Sequence, residues 1–535
     1  MTQTTTAPVE ASSAPAPPTT GLDALAGLLA AAVALGVSEL LSGFGRSVPS
    51  LVTSVGTAVI DLGPKWFVDI GIDLFGTNDK PALIIGTVIL TLLTGLFVGA
   101  RARRLPWLPV AAFLLFGVVG AAAAARDPLA SDTAGLVVAV ITVATGILTL
   151  RWLLAAIDGR VRPVVGALLA SQSDDPAPVV LATPGSRREF LARAGVVAGV
   201  AAVTPLAGRR LRDRFAVEEI RSSIEIASAT PTAARSTGLD VPGITSLYTP
   251  NDDFYRIDTA LVIPQVNPAN WSLRITGEVE EEIEISYDEL LDLSTDEFDV
   301  TIACVSNEVG GGLIGNARWQ GVPIQQLLER ARPTSNAEQL MGVSVDGFTA
   351  GFPIELASDG RPALVAVGMN GEPLPIRHGF PARLIVSGIY GYVSATKWLS
   401  EIRLTRWEGN DGYWIPRGWS KEGPIKLQSR IDVPNNRATV QAGTVAVAGV
   451  AWHQHTGIAG VQVRVDEGEW VDAELGEELT INTWRQWLYR WDAAPGQHVI
   501  DVRAVSVDGE VQTAEVAPVA PDGATGHHRV QVNVS

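Results

Sequence analysis

A single cysteine, Cys304, stands in the 535 residues of this chain. It ends the apolar run Asp299-Val300-Thr301-Ile302-Ala303 and leads into the polar turn Ser306-Asn307. One thiol excludes an intrachain disulfide and a cysteine-ligated iron–sulfur cluster, both of which need more than one. Two uses are left for it. A lone cysteine on an apolar strand is usually a small buried hydrophobe. It can also serve as a soft thiolate ligand to a metal already held by sulfur. The glycines that follow, Gly310, Gly311, Gly312 and Gly315, favour the second use, because residues without Cβ let backbone come close to a ligand.

The histidines and methionines sharpen the exclusion. All six histidines lie beyond residue 377, and no methionine stands between Met1 and Met341. The apolar first part of the chain therefore offers no His or Met side chain to ligate haem, so no haem is expected there. The net charge of −17 falls mostly after residue 208, with no basic stripe, which argues against nucleic acid as a partner.

These residues need elements to hold them, and the chain divides into two halves. Up to about residue 208 it is rich in Ala, Leu, Val and Gly; beyond that it holds most of the Trp, Asp and Glu. Residues 1–20 are Thr, Ala, Pro and Ser without periodicity, predicting a disordered tail. Within 21–156 four apolar runs, Leu22–Leu41, Ala82–Ala100, Trp107–Ala125 and Gly135–Ala156, are each near the ~20 residues that cross a bilayer core. Leu51–Ile60 is too short to span, and Trp66–Phe75 is broken by Asp69 and Asp73, so both are expected to lie at the interface or against the spans.

Arginines cluster at 101–104 and again from 160 to 193, so with the N-terminus inside both loops face the cytoplasm, the second being a linker over 157–186. Ser186-Arg187-Arg188-Glu189-Phe190-Leu191, followed by the apolar run Ala194–Gly208, matches a twin-arginine export signal. It is expected to stay as a fifth span over 187–208, placing the rest outside the cytoplasm. The competing reading is an ordinary basic flank before a helix. A linker over 209–240 leads into the second half.

Short apolar runs bounded by Pro, Gly and Asn, with a helical stretch at Ile324–Ala331, predict an α+β domain over 241–431. From 432 to 535 the pattern is purely β. Val461, Val463 and Val465 alternate with polar residues and Asp508-Gly509 marks a hairpin, which together predict an immunoglobulin-like sandwich.

Four stretches carry a family resemblance: Asn251-Asp252-Asp253-Phe254-Tyr255-Arg256, Ala303-Cys304-Val305-Ser306-Asn307, Gly315 to Pro323, and Met369 to Arg383 with Lys397-Trp398-Leu399 behind it. Residues 241 to 530 thereby resemble the sulfite oxidase family, a molybdopterin-binding domain followed by an immunoglobulin-like dimerisation domain. The resemblance implies a Mo-molybdopterin cofactor, a small-molecule substrate, and a homodimer. It implies that Cys304 binds molybdenum, that His378 and Arg383 hold the pterin and its phosphate, and that Thr396 and Lys397 add a later phosphate contact. Asn251, Asp252, Phe254 and Tyr255 fall among the cofactor-binding positions, and Arg256 and Asn307 among the catalytic ones.

The sulfite-oxidising members carry Asn-Arg-Arg beginning three residues after the metal cysteine; here Asn307 is followed by Glu308 and Val309. A non-sulfite substrate is therefore expected. Gly449-Val450-Ala451-Trp452-His453 and Trp484-Arg485-Gln486-Trp487 resemble the dimerisation domain, with Trp452 and His453 expected near the active-site mouth. Trp319, Trp484 and Trp487 could equally be core. With no haem expected in the chain, electrons are expected to be exchanged with a separate cytochrome or a quinone. The expected function is two-electron oxygen-atom transfer by a membrane-anchored enzyme. A reductase of S-oxides or methionine sulfoxide, and a non-catalytic membrane-tethered binding module, are the alternatives.

Overall fold

The computed structural model describes residues 20–64, 70–71, 74–75, 78–158, 187–226 and 238–535, in two units, Met1–Phe215 and Ala216–Ser535. Residues 1–19 of the expected tail, 159–186 of the first linker with Ser186 of the export motif, most of Trp66–Phe75, and residues 227–237 of the second linker lie outside the described residues, whereas Thr20 and Ile157 belong to helices.

The first unit is helical: α1 Thr20–Ser42, α2 Leu51–Leu62, α3 Asp79–Arg101, α4 Leu108–Ala124, α5 Asp132–Ile157 and α6 Arg187–Asp213. Among the described residues four helices, α1, α3, α5 and the one that begins at Arg187, are long and apolar enough to cross a membrane. The run Trp107–Ala125 is helical only over the 17 residues of α4. Pro109 opens that helix, and Arg126-Asp127-Pro128 follow it. Its 17 residues stand at the lower end of the roughly 17–25 that cross a bilayer core, so four long helices and one shorter apolar helix stand where five spans are expected. Small residues let the helices touch. A Cβ on Gly27 would stand 2.1 Å from the Gly95 carbonyl oxygen, and one on Gly99 2.3 Å from that of Asp23, so α1 and α3 cross backbone to backbone.

In the second unit β1 Ser272–Gly277, β2 Ile283–Ser286, β5 Gln339–Ser344, β6 Thr349–Pro353 and β10 Leu399–Thr405 form one sheet in the order β2-β1-β10-β5-β6. A second sheet has the order β3-β4-β7-β8, with β3 Asp296–Ala303, β4 Ile314–Pro323, β7 Ala363–Met369 and β8 Glu372–Pro373; β9 Arg383–Val386 pairs with β7. Strands β4 and β7 are buried nearly throughout, as continuous apolar runs covered on both faces are. The helix Ile324–Ala331 buries Ile324, Leu327, Leu328 and Ala331, the helical spacing that marks it in the sequence.

Beyond Lys426 two antiparallel-rich sheets bury a shared core. One contains β11 Gln428–Val433, β13 Gly443–Trp452, β16 Glu474–Leu475 and β17 Arg485–Ala493; the other contains β12 Ala438–Val440, β14 Ile458–Val465, β15 Val471–Asp472, β18 Gly496–Ser506 and β19 His528–Val534. Val447 and Trp487 from the first face Val461, Val463, Val502 and Val530 from the second. Trp487 is thus core of these sheets. Trp484 and Trp452 instead join the core that runs through the α+β part, together with Trp319. The expectation that Trp452 and His453 stand at the active-site mouth is corrected here: Trp452 is 1% exposed, and neither lines the cavity described below.

Candidate active site

Cys304 follows the last residue of β3, and its N–H donates to the carbonyl oxygen of Leu313 at 2.9 Å, closing the loop between β3 and β4. Its side chain enters a cavity of about 890 Å³, part of it open to solvent. Arg383, the first residue of β9, His378 and Lys397 reach the same cavity. The short 3-10 turn Ile376–His378 ends at Gly379, whose φ of +116° and close approach to the Lys397 backbone favour the absence of a side chain. Phe254 and Tyr255 stack at 5.3 Å and complete this wall.

Burial dominates the electrostatics. The Cys304 thiol is pushed up by burial, against hydrogen bonds at Ser306 that act the other way. Tyr255 is pushed up by burial and then by the neighbouring thiol. Burial and the adjacent Arg383 pull His378 down to about 3, so its ring is neutral. His378 Nε2 lies 3.0 Å from the Asn251 carbonyl oxygen, an acceptor, which places the ring proton on Nε2.

Arg383 carries the most telling geometry. It is 4% exposed, and burial lowers it to about 10. One Nη1 donates to the His378 carbonyl oxygen at 3.0 Å, and its guanidinium lies 5.0 Å from the centre of the Trp319 ring. Its Nε has no partner, and among the described residues no carboxylate pairs with it. A buried cation without an anion is costly unless a ligand supplies one.

The remaining sequence-derived residues divide. Lys397 lines the cavity, but its Nζ is already 2.7 Å from Asp258 Oδ2. Thr396 Oγ1 is buried without a partner and does not line the cavity. Asn251 and Asp252 line a separate surface depression beside Arg377, to which Asp252 is bonded. Asn307 turns inward: its Oδ1 accepts the N–H of Leu313 at 2.7 Å, so it braces the loop and does not line the cavity. Arg256 is 42% exposed on its side chain, 3.5 Å from Asp258, and stays outside the cavity.

The glycines also depart from expectation. A Cβ on Gly315 would meet the Phe254 ring at 2.7 Å, and one on Gly310 the His528 ring at 2.2 Å. Both therefore admit protein side chains, not a ligand. Residues that sequence reasoning missed are Asp258 and the aromatic wall of Phe348, Tyr392, Trp398, Trp414 and Trp419. Trp398 adjoins Lys397 in a stretch that carries the family resemblance, but nothing in the sequence joins residues 348, 392, 414 and 419 to Cys304.

The family described as oxidoreductase molybdopterin binding domain matches residues 260–414. Mitochondrial sulfite oxidase of Rattus norvegicus is 29% identical over 323 residues, 51% of this chain and 59% of that protein. Its counterpart in Homo sapiens is 29% identical over 339 residues, 54% and 62%. Residues 260–414 are thus a molybdopterin-binding oxidoreductase domain, and the chain is similar to the sulfite oxidases. It spans about three fifths of the length of the sulfite oxidases it matches. Nitrate reductase [NADH] 1 of Arabidopsis thaliana is 29% identical over 178 residues, 28% of this chain and 19% of that one. Among solved structures, the sulfane dehydrogenase SoxCD from Paracoccus pantotrophus covers 57% of this chain and 87% of its own, at 20% identity and a TM-score of 0.47.

The cavity fits the family's cofactor. A thiol suited to a metal and a buried guanidinium, its Nε unmet and no carboxylate beside it, reach one space, and these donors suit a cofactor that carries a metal and a phosphate.

Proposed function

We propose that this chain is a membrane-anchored oxidoreductase, working outside the cytoplasm, that uses Mo-molybdopterin to transfer an oxygen atom to or from a neutral substrate. The observation that carries the reading is the meeting of the sole thiol, Cys304, with the uncompensated Arg383 in one cavity. When bound, the cofactor supplies two-electron oxygen-atom transfer, and the protein supplies access and electrostatics. Cys304 would hold the metal, Arg383 and His378 the pterin and phosphate, and Lys397 would add a later phosphate contact. The aromatic wall excludes water and favours an uncharged sulfoxide, N-oxide or organic sulfur compound over a small dianion.

The four long apolar helices support membrane anchoring, and Arg187 and Arg188 at the start of α6 support export through the twin-arginine signal. The two sheets beyond Lys426 are read as the immunoglobulin-like dimerisation domain. Electrons are exchanged with a separate cytochrome or a quinone.

Elemental analysis of the purified chain tests the reading. We expect about one molybdenum per chain, lost in Cys304→Ser, because no second thiol can replace it. Metal content that is substoichiometric and indifferent to that substitution would remove the hypothesis.

A further inference from the structure

Strand β3 is an edge strand, paired only with β4, and an edge leaves N–H and C=O groups to be satisfied elsewhere. At Thr301, three residues before Cys304, that edge is closed by the two-sheet part of the same unit. The Thr301 N–H donates to the Asn482 carbonyl oxygen at 3.0 Å, and its own carbonyl oxygen accepts from Gln454 Nε2 at 3.0 Å. Its Oγ1 accepts the N–H of Trp484 at 2.8 Å and donates to Asn316 Oδ1 on β4 at 3.0 Å. Thr301 is 0% exposed, so backbone and hydroxyl are all spent on these four bonds with no water to share them.

The grip continues on both sides. Asn316 Nδ2 and Trp484 Nε1 both donate to the Leu247 carbonyl oxygen, at 2.8 and 2.9 Å. Past Cys304, Arg430 on β11 donates through Nη1 to the Gly311 carbonyl oxygen at 2.8 Å. The segment carrying the thiol is therefore held before and behind by the two-sheet part. Within that segment Cys304 is fixed by its N–H bond to the Leu313 carbonyl oxygen, by its own carbonyl oxygen accepting the N–H of Asn307 at 3.0 Å, and by the hydrogen bonds at Ser306, all of them inside the loop that β3 carries. Where its sulfur sits is decided by where β3 ends.

We propose that the two-sheet part of the chain positions the Cys304 strand, and that Thr301 is the positioning residue through which it acts. The inference rests on Cys304 being the metal ligand. A ligand on an edge strand must arrive at a point set by groups on other elements, here Arg383 on β9 and His378. An edge that breathed would make that arrival inexact. Asn482, Trp484 and Gln454 replace the missing neighbour strand and hold the end of β3 in place.

Because Cys304 is the sole thiol, its alkylation by iodoacetamide reports the position of this strand with no background from other cysteines. The experiment uses the full chain in detergent, purified without cofactor from cells that make no molybdopterin, and the molybdenum-loaded chain for the Mo(V) electron paramagnetic resonance spectrum. Thr301→Val removes the hydroxyl and leaves the Trp484 N–H unmet. Gln454→Leu removes the bond to the Thr301 carbonyl oxygen at smaller cost, since Gln454 Oε1 already lacks a partner.

We expect both variants to raise the alkylation rate about tenfold, with the smaller fall in urea midpoint for the second, the scale of one net hydrogen bond lost from a locally opening segment. Both should shift the Mo(V) spectrum, and Thr301→Ser should restore wild-type behaviour in each measurement. If Thr301→Val does not fold, Gln454→Leu alone decides. Alkylation and spectrum both unchanged in Gln454→Leu, or Thr301→Ser behaving as the valine variant does, would overturn the proposal. Absence of molybdenum from the wild type would instead count against the metal-ligand reading, with the alkylation arm still scoring the strand.

Discussion

Lys397 Nζ and Asp258 Oδ2 stand 2.7 Å apart in the cavity wall, with the two side chains 9% and 4% exposed. Removing one member of such a buried pair leaves the other charge desolvated, at a cost on the order of 3–5 kcal/mol. Asp258→Ala should therefore lower the stability of the cofactor-free chain by that order in urea titration. If Lys397 meets a cofactor phosphate, the loaded chain should lose clearly less, because the phosphate takes the place of the carboxylate. Equal losses with and without cofactor would separate Lys397 from the phosphate.

Arg383 leads to the opposite expectation for the empty chain. Its burial without a carboxylate works against folding, while its bond to the His378 carbonyl oxygen and its place over Trp319 work for it. Arg383→Met keeps much of the volume and removes the desolvated charge. The cofactor-free variant should be as stable as the wild type or more so, by up to about 3 kcal/mol. It should retain little molybdenum after gel filtration. A stability loss of several kcal/mol together with full metal retention would show that the guanidinium is structural.

How much of this was legible beforehand depends on what decides each feature. Cys304, His378, Arg383 and Lys397 come from motifs whose residue types are dictated by the chemistry they serve, and they do meet in one cavity. Asn307 and Arg256 come from the same motifs but do not line it. Their side-chain directions are set by a loop that Asn307 itself braces and by Asp258, and neither constraint is visible in residue type. Asp258 was missed because its partner lies 139 residues away in the chain. The aromatic wall was missed because Tyr392, Trp414 and Trp419 belong to connections after β9 and β10, with no periodicity to announce them. The helices of the first unit and Ile324–Ala331 were legible, since apolar length and the spacing of four apolar residues speak for themselves.

His378 gives the cavity a pH signature. In an unfolded chain a histidine titrates near 6.5, whereas in the folded chain burial and then Arg383 hold it at about 3. Between these values the unfolded state binds more protons, so stability is full above about pH 6.5 and is lost as pH falls towards 3. At pH 5 the loss from this residue should be about 2 kcal/mol. His528, lowered by burial and then by Arg430, acts with the same sign. The variant His378→Gln, compared with wild type by urea titration from pH 5 to 8, should show the shallower slope. An identical slope would mean that the ring is not kept neutral by the fold.

The last prediction concerns what the cavity refuses. Sulfite near neutral pH is a compact anion that needs fixed cations around it, and the planar guanidinium fork suits it best. Where the sulfite-oxidising members carry two arginines after the asparagine, this chain has Glu308 and Val309. Glu308 is exposed, and neither residue lines the cavity, so the exchange removes two cations and does not set an anion against the substrate. Of the cations that do line the cavity, Lys397 is neutralised by Asp258, and Arg383 is the one the cofactor needs. We therefore expect sulfite oxidation with an artificial acceptor at a kcat/KM well below ~10⁴ M⁻¹s⁻¹. The double variant Glu308→Arg, Val309→Arg should raise the rate modestly at low ionic strength, and the gain should fade at ~0.15 M salt, because exposed charges act by steering over a Debye length of about 8 Å. Efficient sulfite turnover by the wild type would show that the cavity supplies cations by a route this geometry does not contain.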